Sequence, residues 1–125
     1  MELIDCFLRD GEKSGYYFRV AESNNEITGY VCYGPTPLTK NTWDIFWEAV
    51  SRDFQGQGIG GKLLQAAEKV IQKAGGGMIL IETSSTPAYG KTRNFYFRQG
   101  YEEIARVPDF YEPGDDKLIL RKKFG

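Results

Sequence analysis

A chain of 125 residues, 41% hydrophobic with 8 Phe, 8 Tyr and 2 Trp, is sized for one folded domain with its own core and leaves no room for a second. Sixteen basic against seventeen acidic residues exclude the basic surface that general nucleic-acid binding requires, and no apolar run reaches the roughly 18 residues of a membrane span. Histidine is absent, which removes Ser-His-Asp and Cys-His pairs and most catalytic zinc sites; no metal is expected, and any proton transfer falls to a carboxylate, Tyr, Lys, water or substrate.

In chain order, "ELIDCFLR" at 2–9 places Leu3, Ile4, Phe7 and Leu8 at amphipathic-helix offsets, with Gly11 to end the helix. The acidic, h-region-free N-terminus is neither a secretory signal nor a transit peptide, and with only Cys6 and Cys32 the expected location is cytoplasmic. "GYYFRVAES" alternates as a strand, "SNNE" is turn chemistry, and "ITGYVCYG" completes an antiparallel hairpin. "PTPL" breaks that strand and "TWDIFWEAV" resumes it. Trp43, Ile45, Trp47 and Ala49 are expected on one face, with Asp44, Phe46, Glu48 and Val50 on the other. Beyond a glycine-rich loop, Ile59, Leu63, Leu64, Ala67, Val70, Ile71 and Ala74 form a helix stripe opposite Lys62, Gln65, Glu68, Lys69 and Gln72. Gly75 to Gly77 stop that helix, "MILIE" is a buried strand, and "TPAYGKTRNFYFRQG" is a helix with Gly100 as its left-handed cap. Tyr101 to Val107 and "DKLILRKKF" are strands around the turn "PGDD".

The loop "QGQGIGGK" at 55–62 carries the chemistry. Gly56, Gly58 and Gly61 fit G-x-G-x-x-G, and Glu82 stands at the distance of a ribose-binding acid, which is the case for an NAD site. Against it, "SRDFQ" separates the strand from the first glycine, and the three preceding strands are joined by turns rather than helices. Glycines at a helix N-terminus serve any pyrophosphate, because backbone amides can approach the anion and the helix dipole favours it.

The same loop, taken as Gln55-x-x-Gly58-x-Gly60, resembles the acyl-CoA signature Q/R-x-x-G-x-G/A of the GNAT family of N-acetyltransferases. The preceding "EAV" resembles that family's fourth strand, and "NFYFRQGY" at 94–101 its later helix motif. The resemblance spans about residues 16–123. It implies an α/β (α+β) fold: a mixed, mostly antiparallel sheet with helices on both faces and splayed central strands, in a single domain over 1–125. It further implies acetyl-CoA as acyl-donor cosubstrate, held by main-chain groups of Glu48, Ala49 and Val50 and by Gln55, Gly56, Gln57, Gly58, Ile59, Gly60, Gly61 and Lys62. Tyr89 stands where many relatives carry an Asn that contacts CoA, so that contact is not carried over. The family's usual first strand and helix are not evident before "GYYFRV", which leaves part of the acceptor wall absent or supplied by another chain, as in a homodimer.

The implied reaction moves an acetyl group directly to a primary amine of a small molecule. Tyr96 occupies the position of the family's tyrosine acid. Its ordinary pKa of about 10 exceeds that of a thiol near 8.5, so full proton transfer is uphill by roughly 2 kcal/mol and a hydrogen bond to the departing thiolate is the more modest role. Glu48 leads the candidates for base, with Glu82 and Asp44 beside it. Glu48 and Asp44 are expected on one side of their strand. The rival from another class is a non-catalytic acyl-CoA-binding sensor.

Overall fold

The structure, a computed structural model, describes residues 2–7 and 15–125. Its strands are β1 (Glu2–Phe7), β2 (Tyr17–Ser23), β3 (Glu26–Pro35), β4 (Thr42–Val50), β5 (Met78–Ser84), β6 (Glu102–Glu112) and β7 (Asp115–Lys123). Helix α1 (Ile59–Lys73) joins β4 to β5, and α2 (Gly90–Arg98) follows β5. The described strands form one sheet in the order β1-β2-β3-β4-β5-β7-β6. Every neighbouring pair is antiparallel except β4 and β5, so the sheet is mixed and mostly antiparallel, as expected.

The N-terminal helix expected over 2–9 is corrected to a strand: Glu2–Phe7 pairs antiparallel with β2, from Glu2 opposite Glu22 to Phe7 opposite Tyr17. Leu8 and Gly11 lie outside the described residues. A helix this short gains few internal hydrogen bonds for its nucleation cost, whereas the strand satisfies a whole edge of β2; a short apolar run fits either pattern. The next hairpin turns as expected, on Asn24 and Asn25 with φ of 52° and 64°, the two left-handed positions of a two-residue loop.

Strand β4 departs from simple alternation. Cys32 of β3 faces Trp47 and Tyr33 faces Ile45, so Phe46 is an extra residue bulged out of the ladder. The faces therefore exchange across it. Ile45 and Val31 belong to the core, and Glu48, opposite Val31, joins their side, as does Val50. The placement of Glu48 with Asp44 is thereby corrected: Asp44 stays on the other face, where its carboxylate accepts from Thr36 Oγ1 at 2.7 Å.

Helix α1 buries Ile59, Leu63, Leu64, Ala67 and Ile71 as its stripe predicts. Glu68, expected on its polar side, is also buried. It accepts from Tyr101 Oη at 2.8 Å and pairs with Lys122 Nζ at 3.1 Å, so its charge is matched inside the fold. Helix α2 follows a short 3-10 turn over Pro87–Tyr89 and ends at Gly100, φ 97°, the left-handed cap. Both helices lie on the side of the sheet that presents Val31, Ile45, Ile79, Ile81, Leu118 and Leu120, with Tyr96 of α2 in the same core cluster. The opposite face carries no α-helix among the described residues, so the helical cover expected on both faces is described for one. Strand β6 runs to Glu112, past its expected end at Val107, because two irregularities absorb Ile104 and the stretch around Asp109 before the Pro113–Gly114 turn. No helix among the described residues is long and apolar enough to cross a membrane.

Candidate active site

The site opens where two parallel strands part. β4 and β5 pair from Thr42 opposite Met78 to Ile45 opposite Ile81 and no further, while β4 continues along β3 to Val50 and β5 along β7 to Ser84. From the bulge onward the β5-side edge of β4 has no strand partner among the described residues. Its amides and carbonyls are available to an extended ligand, since buried backbone groups must find partners.

The glycine loop sits at the end of that edge. Arg52–Phe54 makes a 3-10 turn, and Gln55 Nε2 donates to Val50 O at 3.1 Å, tying the loop back to β4. Gly58, φ 77°, is the N-cap of α1, a conformation that costs an L-residue with a side chain roughly 1–2 kcal/mol. No side chain caps this helix end. Its first-turn amides therefore keep their hydrogen-bonding capacity, and the helix dipole adds positive potential there.

A cavity of about 630 Å³ lies against these groups. Of the expected cosubstrate residues, Glu48, Ala49, Val50, Gln55, Gly56, Gly58, Ile59, Gly60 and Gly61 line it. Gln57 and Lys62 are exposed and do not; the Lys62 amide is spent on Gly58 O at 3.1 Å. Lys91 and Arg98 of α2 line the cavity although the sequence pattern did not single them out, and they are its basic side chains. One signal could have found them: both stand on the helix that carries Tyr96, flanking it in sequence.

A second cavity, of about 540 Å³, occupies the other side of the parting. Ile45, Phe46, Trp47, Ile81, Glu82, Thr83, Ser84, Tyr89, Tyr111 and Asp115 are among its lining. Glu48, Thr92 and Tyr96 line both cavities. Glu82 is on this second side only, half-exposed and paired with Lys117 Nζ at 3.0 Å. The acid of a dinucleotide site would have to stand by the glycine loop, so the NAD arrangement does not form. Asp44 lines neither cavity.

At the junction, both Glu48 carboxylate oxygens are shielded from water and neither meets a hydrogen-bond partner at full geometry among the described residues. Burial pushes the Glu48 carboxyl up to about 8; the nearby Tyr96 phenol offsets part of that rise, and the Glu68 charge adds to it. Tyr96 is itself buried and packed edge-on against Phe95 and Tyr101, with ring centroids 5.2 and 5.9 Å away. Its burial first, and the Glu48 charge second, hold its pKa above the ordinary tyrosine value. Arg93 fixes this helix by donating to Ser84 O at 2.8 Å and Thr86 O at 2.7 Å, which anchors Tyr96 relative to β5. The pair thus joins an acid that can exchange a proton near neutral pH to a phenol that keeps its own.

The acetyltransferase (GNAT) domain profile matches residues 14–103. The chain belongs to the GNAT family of acetyltransferases. An uncharacterized N-acetyltransferase of Methanocaldococcus jannaschii is 31% identical over 110 residues, covering 85% of this chain; the chain spans 65% of that relative's length. A GNAT-family structure from Desulfovibrio desulfuricans superposes with a TM-score of 0.89 at 40% identity, covering 90% of this chain and 71% of that one. A GNAT acetyltransferase from Elizabethkingia anophelis with acetyl-CoA bound gives a TM-score of 0.77 at 22% identity over 92% of this chain and 80% of that one, a likeness of fold. GNAT membership accounts for the parted strands and for the element order, with the glycine loop between β4 and α1.

Proposed function

We propose that residues 1–125 form a single cytoplasmic N-acetyltransferase domain that moves an acetyl group from acetyl-CoA directly to a primary amine of a small molecule. The observation that carries this reading is the meeting of two cavities at Glu48 and Tyr96, one beside a phosphate-suited helix end, the other lined by acids and aromatics.

The residues present fit acetyl-CoA. The amides of Gly58 to Gly61, with Lys91 and Arg98, would hold its phosphates, and the free edge of β4 at Glu48, Ala49 and Val50 would bond the pantetheine arm. When bound, acetyl-CoA supplies an acyl carbon already activated as a thioester. Glu48 takes the proton that an ammonium must lose before it can attack. From an amine of pKa about 10.4 to an ordinary glutamate that transfer is uphill by about 8 kcal/mol; to a carboxyl at about 8 it is uphill by about 3 kcal/mol. Tyr96 offers its hydroxyl hydrogen to the sulfur side, where a donor that keeps its proton stabilises developing charge.

Thiol release with a panel of primary amines tests the reading directly. Turnover with at least one amine is expected; binding of acetyl-CoA without release from any would turn the protein into an acyl-CoA sensor. Thermal shift supplies the complementary check: CoA at about 100 times its dissociation constant stabilises by about 2.7 kcal/mol, and NAD gives no shift.

Substitutions at two glycines separate folding from binding. Gly58→Ala is expected to lose roughly 1–2 kcal/mol from left-handed strain. At Gly60 an added Cβ would meet Glu48 Oε1, Phe95 Cζ and Val50 Cγ2 at 3.5, 3.6 and 3.7 Å, ordinary contacts, and the signature admits Ala there, so Gly60→Ala keeps its melting temperature and CoA affinity, whereas the larger Gly60→Leu at this part of the cavity wall lowers CoA affinity about tenfold or more. Calorimetric titration of Gly60→Leu with unchanged affinity would remove the glycine cradle from phosphate binding.

A further inference from the structure

The two cavities that meet at Glu48 and Tyr96 differ in charge. Toward the glycine loop the basic side chains are Lys91 and Arg98, and Glu48 is the acid. On the other side Glu48, Glu82 and Asp115 all line the wall, and no basic side chain among the described residues does. Lys117, behind the wall, offsets one of these carboxylates through its ion pair with Glu82. Its ammonium also lies 4.4 Å from the Phe110 ring centre. Among the described residues the wall remains net negative.

The same cavity is aromatic. Phe46 and Trp47 form one side, fixed by Tyr16, whose ring centroid lies 5.2 Å from Phe46 and 6.3 Å from Trp47. Tyr89 and Tyr111 come from the other side, Tyr89 from the 3-10 turn before α2 and Tyr111 from the end of β6. The Pro113–Gly114 turn folds the hairpin so that Tyr111 and Asp115 reach this one place. Burial first, then the charges of Glu82 and Asp115 against an opposing effect of Lys117, raise the pKa of the Tyr111 phenol, so these groups share one electrostatic neighbourhood. Aromatic faces beside carboxylates suit an organic cation: the rings cover its methylenes and attract its charge, and the acids neutralise it.

We infer that the acceptor is an alkyl diamine or polyamine, a molecule whose reacting amine meets Glu48 while a second cationic group rests between Tyr89 and Tyr111 against Asp115 and Glu82. This deepens the acetyltransferase reading and rests on it. A volume of about 540 Å³ admits a chain of eight heavy atoms with room for bound water. Asp115 and Glu82 are specificity residues here. The bond that forms is between acetyl carbon and acceptor nitrogen and the thioester C–S bond breaks with its electron pair on sulfur; of the two protons the ammonium nitrogen loses, Glu48 takes one before attack and passes it to solvent, and the other ends on the sulfur, which leaves as the CoA thiol.

The test uses three acceptors of matched length in the thiol-release assay: hexylamine, 1,6-diaminohexane and 6-aminohexanoate. The diamine is expected to exceed hexylamine by about tenfold or more in kcat/KM, through KM, and the amino acid to fall below hexylamine. Raising the salt concentration shrinks the diamine advantage. Asp115→Asn collapses the diamine-to-monoamine ratio severalfold by raising the diamine KM with little change in its kcat. Should that variant fail to fold, because Asp115 also accepts from Ser84 Oγ, Glu82→Gln gives the same readout of the ratio. Equal kcat/KM for the three acceptors, or a neutral peptide amine that outperforms the diamine, overturns the inference and leaves the acetyltransferase reading standing. Absence of release with every amine, with CoA still bound, removes both.

Discussion

Glu48→Gln is expected to lower kcat/KM for amine acetylation by about 10²–10⁴-fold and, at the same time, to raise the melting temperature above neutral pH. Both effects come from one buried carboxylate. In the wild-type protein its pKa is lifted from the ordinary glutamate value to about 8 by burial, with both oxygens lacking full hydrogen bonds. The folded chain therefore holds this proton more tightly than the unfolded chain does. The associated stability is fully present below the unfolded value and is lost as pH rises through about 8. Gln keeps the shape and removes the charge, so the gain, on the order of 1–3 kcal/mol, appears in melts at pH 9 and is small at pH 5. Activity runs the other way: wild-type kcat/KM climbs through about pH 8 as Glu48 loses its proton, and the variant lacks that limb. A stability difference that is the same at both pH values would show that Glu48 does not titrate in this range.

Tyr96→Phe carries the second large effect. We expect kcat to fall about 10–100-fold while the acetyl-CoA dissociation constant stays within about twofold, because the ring remains and only one O–H is lost. The phenol has a single proton and two neighbours to offer it to, Glu48 and the departing sulfur. Once Glu48 has taken a proton it no longer needs the phenol's, which frees that hydrogen for the sulfur at the moment charge develops there. A second readout follows from the same contact. The phenol lowers the Glu48 pKa against the larger effect of burial, so its removal moves the ascending limb of the rate profile to higher pH. A Tyr96 that served packing alone would leave the limb in place, and unchanged turnover would take it out of the mechanism.

Much of this site was legible in the residues, for identifiable reasons. The glycine loop and the stripe of α1 are local patterns: a helix start and a 3.6-residue period are written in consecutive residues. The arrival of Tyr96 beside that loop followed from the second motif. What escaped reading was non-local. Glu2–Phe7 resembles one face of a helix, and only the unpaired edge of β2 decides it is a strand. Glu68 falls on the polar side of α1 by periodicity; its partners Tyr101 and Lys122 come from beyond β5, and no window along the helix could show them. Lys91 and Arg98 resemble ordinary solvated charges until α2 is laid against the helix end. The acceptor cavity is assembled from β4, β5, the turn before α2 and the β6–β7 hairpin, so no single stretch announces it.

The bulge at Phe46 makes β4 a strand that counts. Inward and outward positions before it are odd and even; after it the parity is reversed, and that reversal is what sets Glu48 beside Val31 and gives it access to Tyr96. A β4 that ran as a regular strand through Phe46, with the same residues, would contain every chemical group of the site and still lack it, because Glu48 would turn to the side of Asp44 and Ala49 would move inward. Loss of Phe46 itself would erase the bulge and leave Glu48 two places after Ile45, still on the core side, with one ring fewer in the acceptor cavity. In this strand the pairing irregularity is the inherited property on which the chemistry depends, and a lineage could exchange the side chain at Phe46 more safely than it could smooth the bulge away.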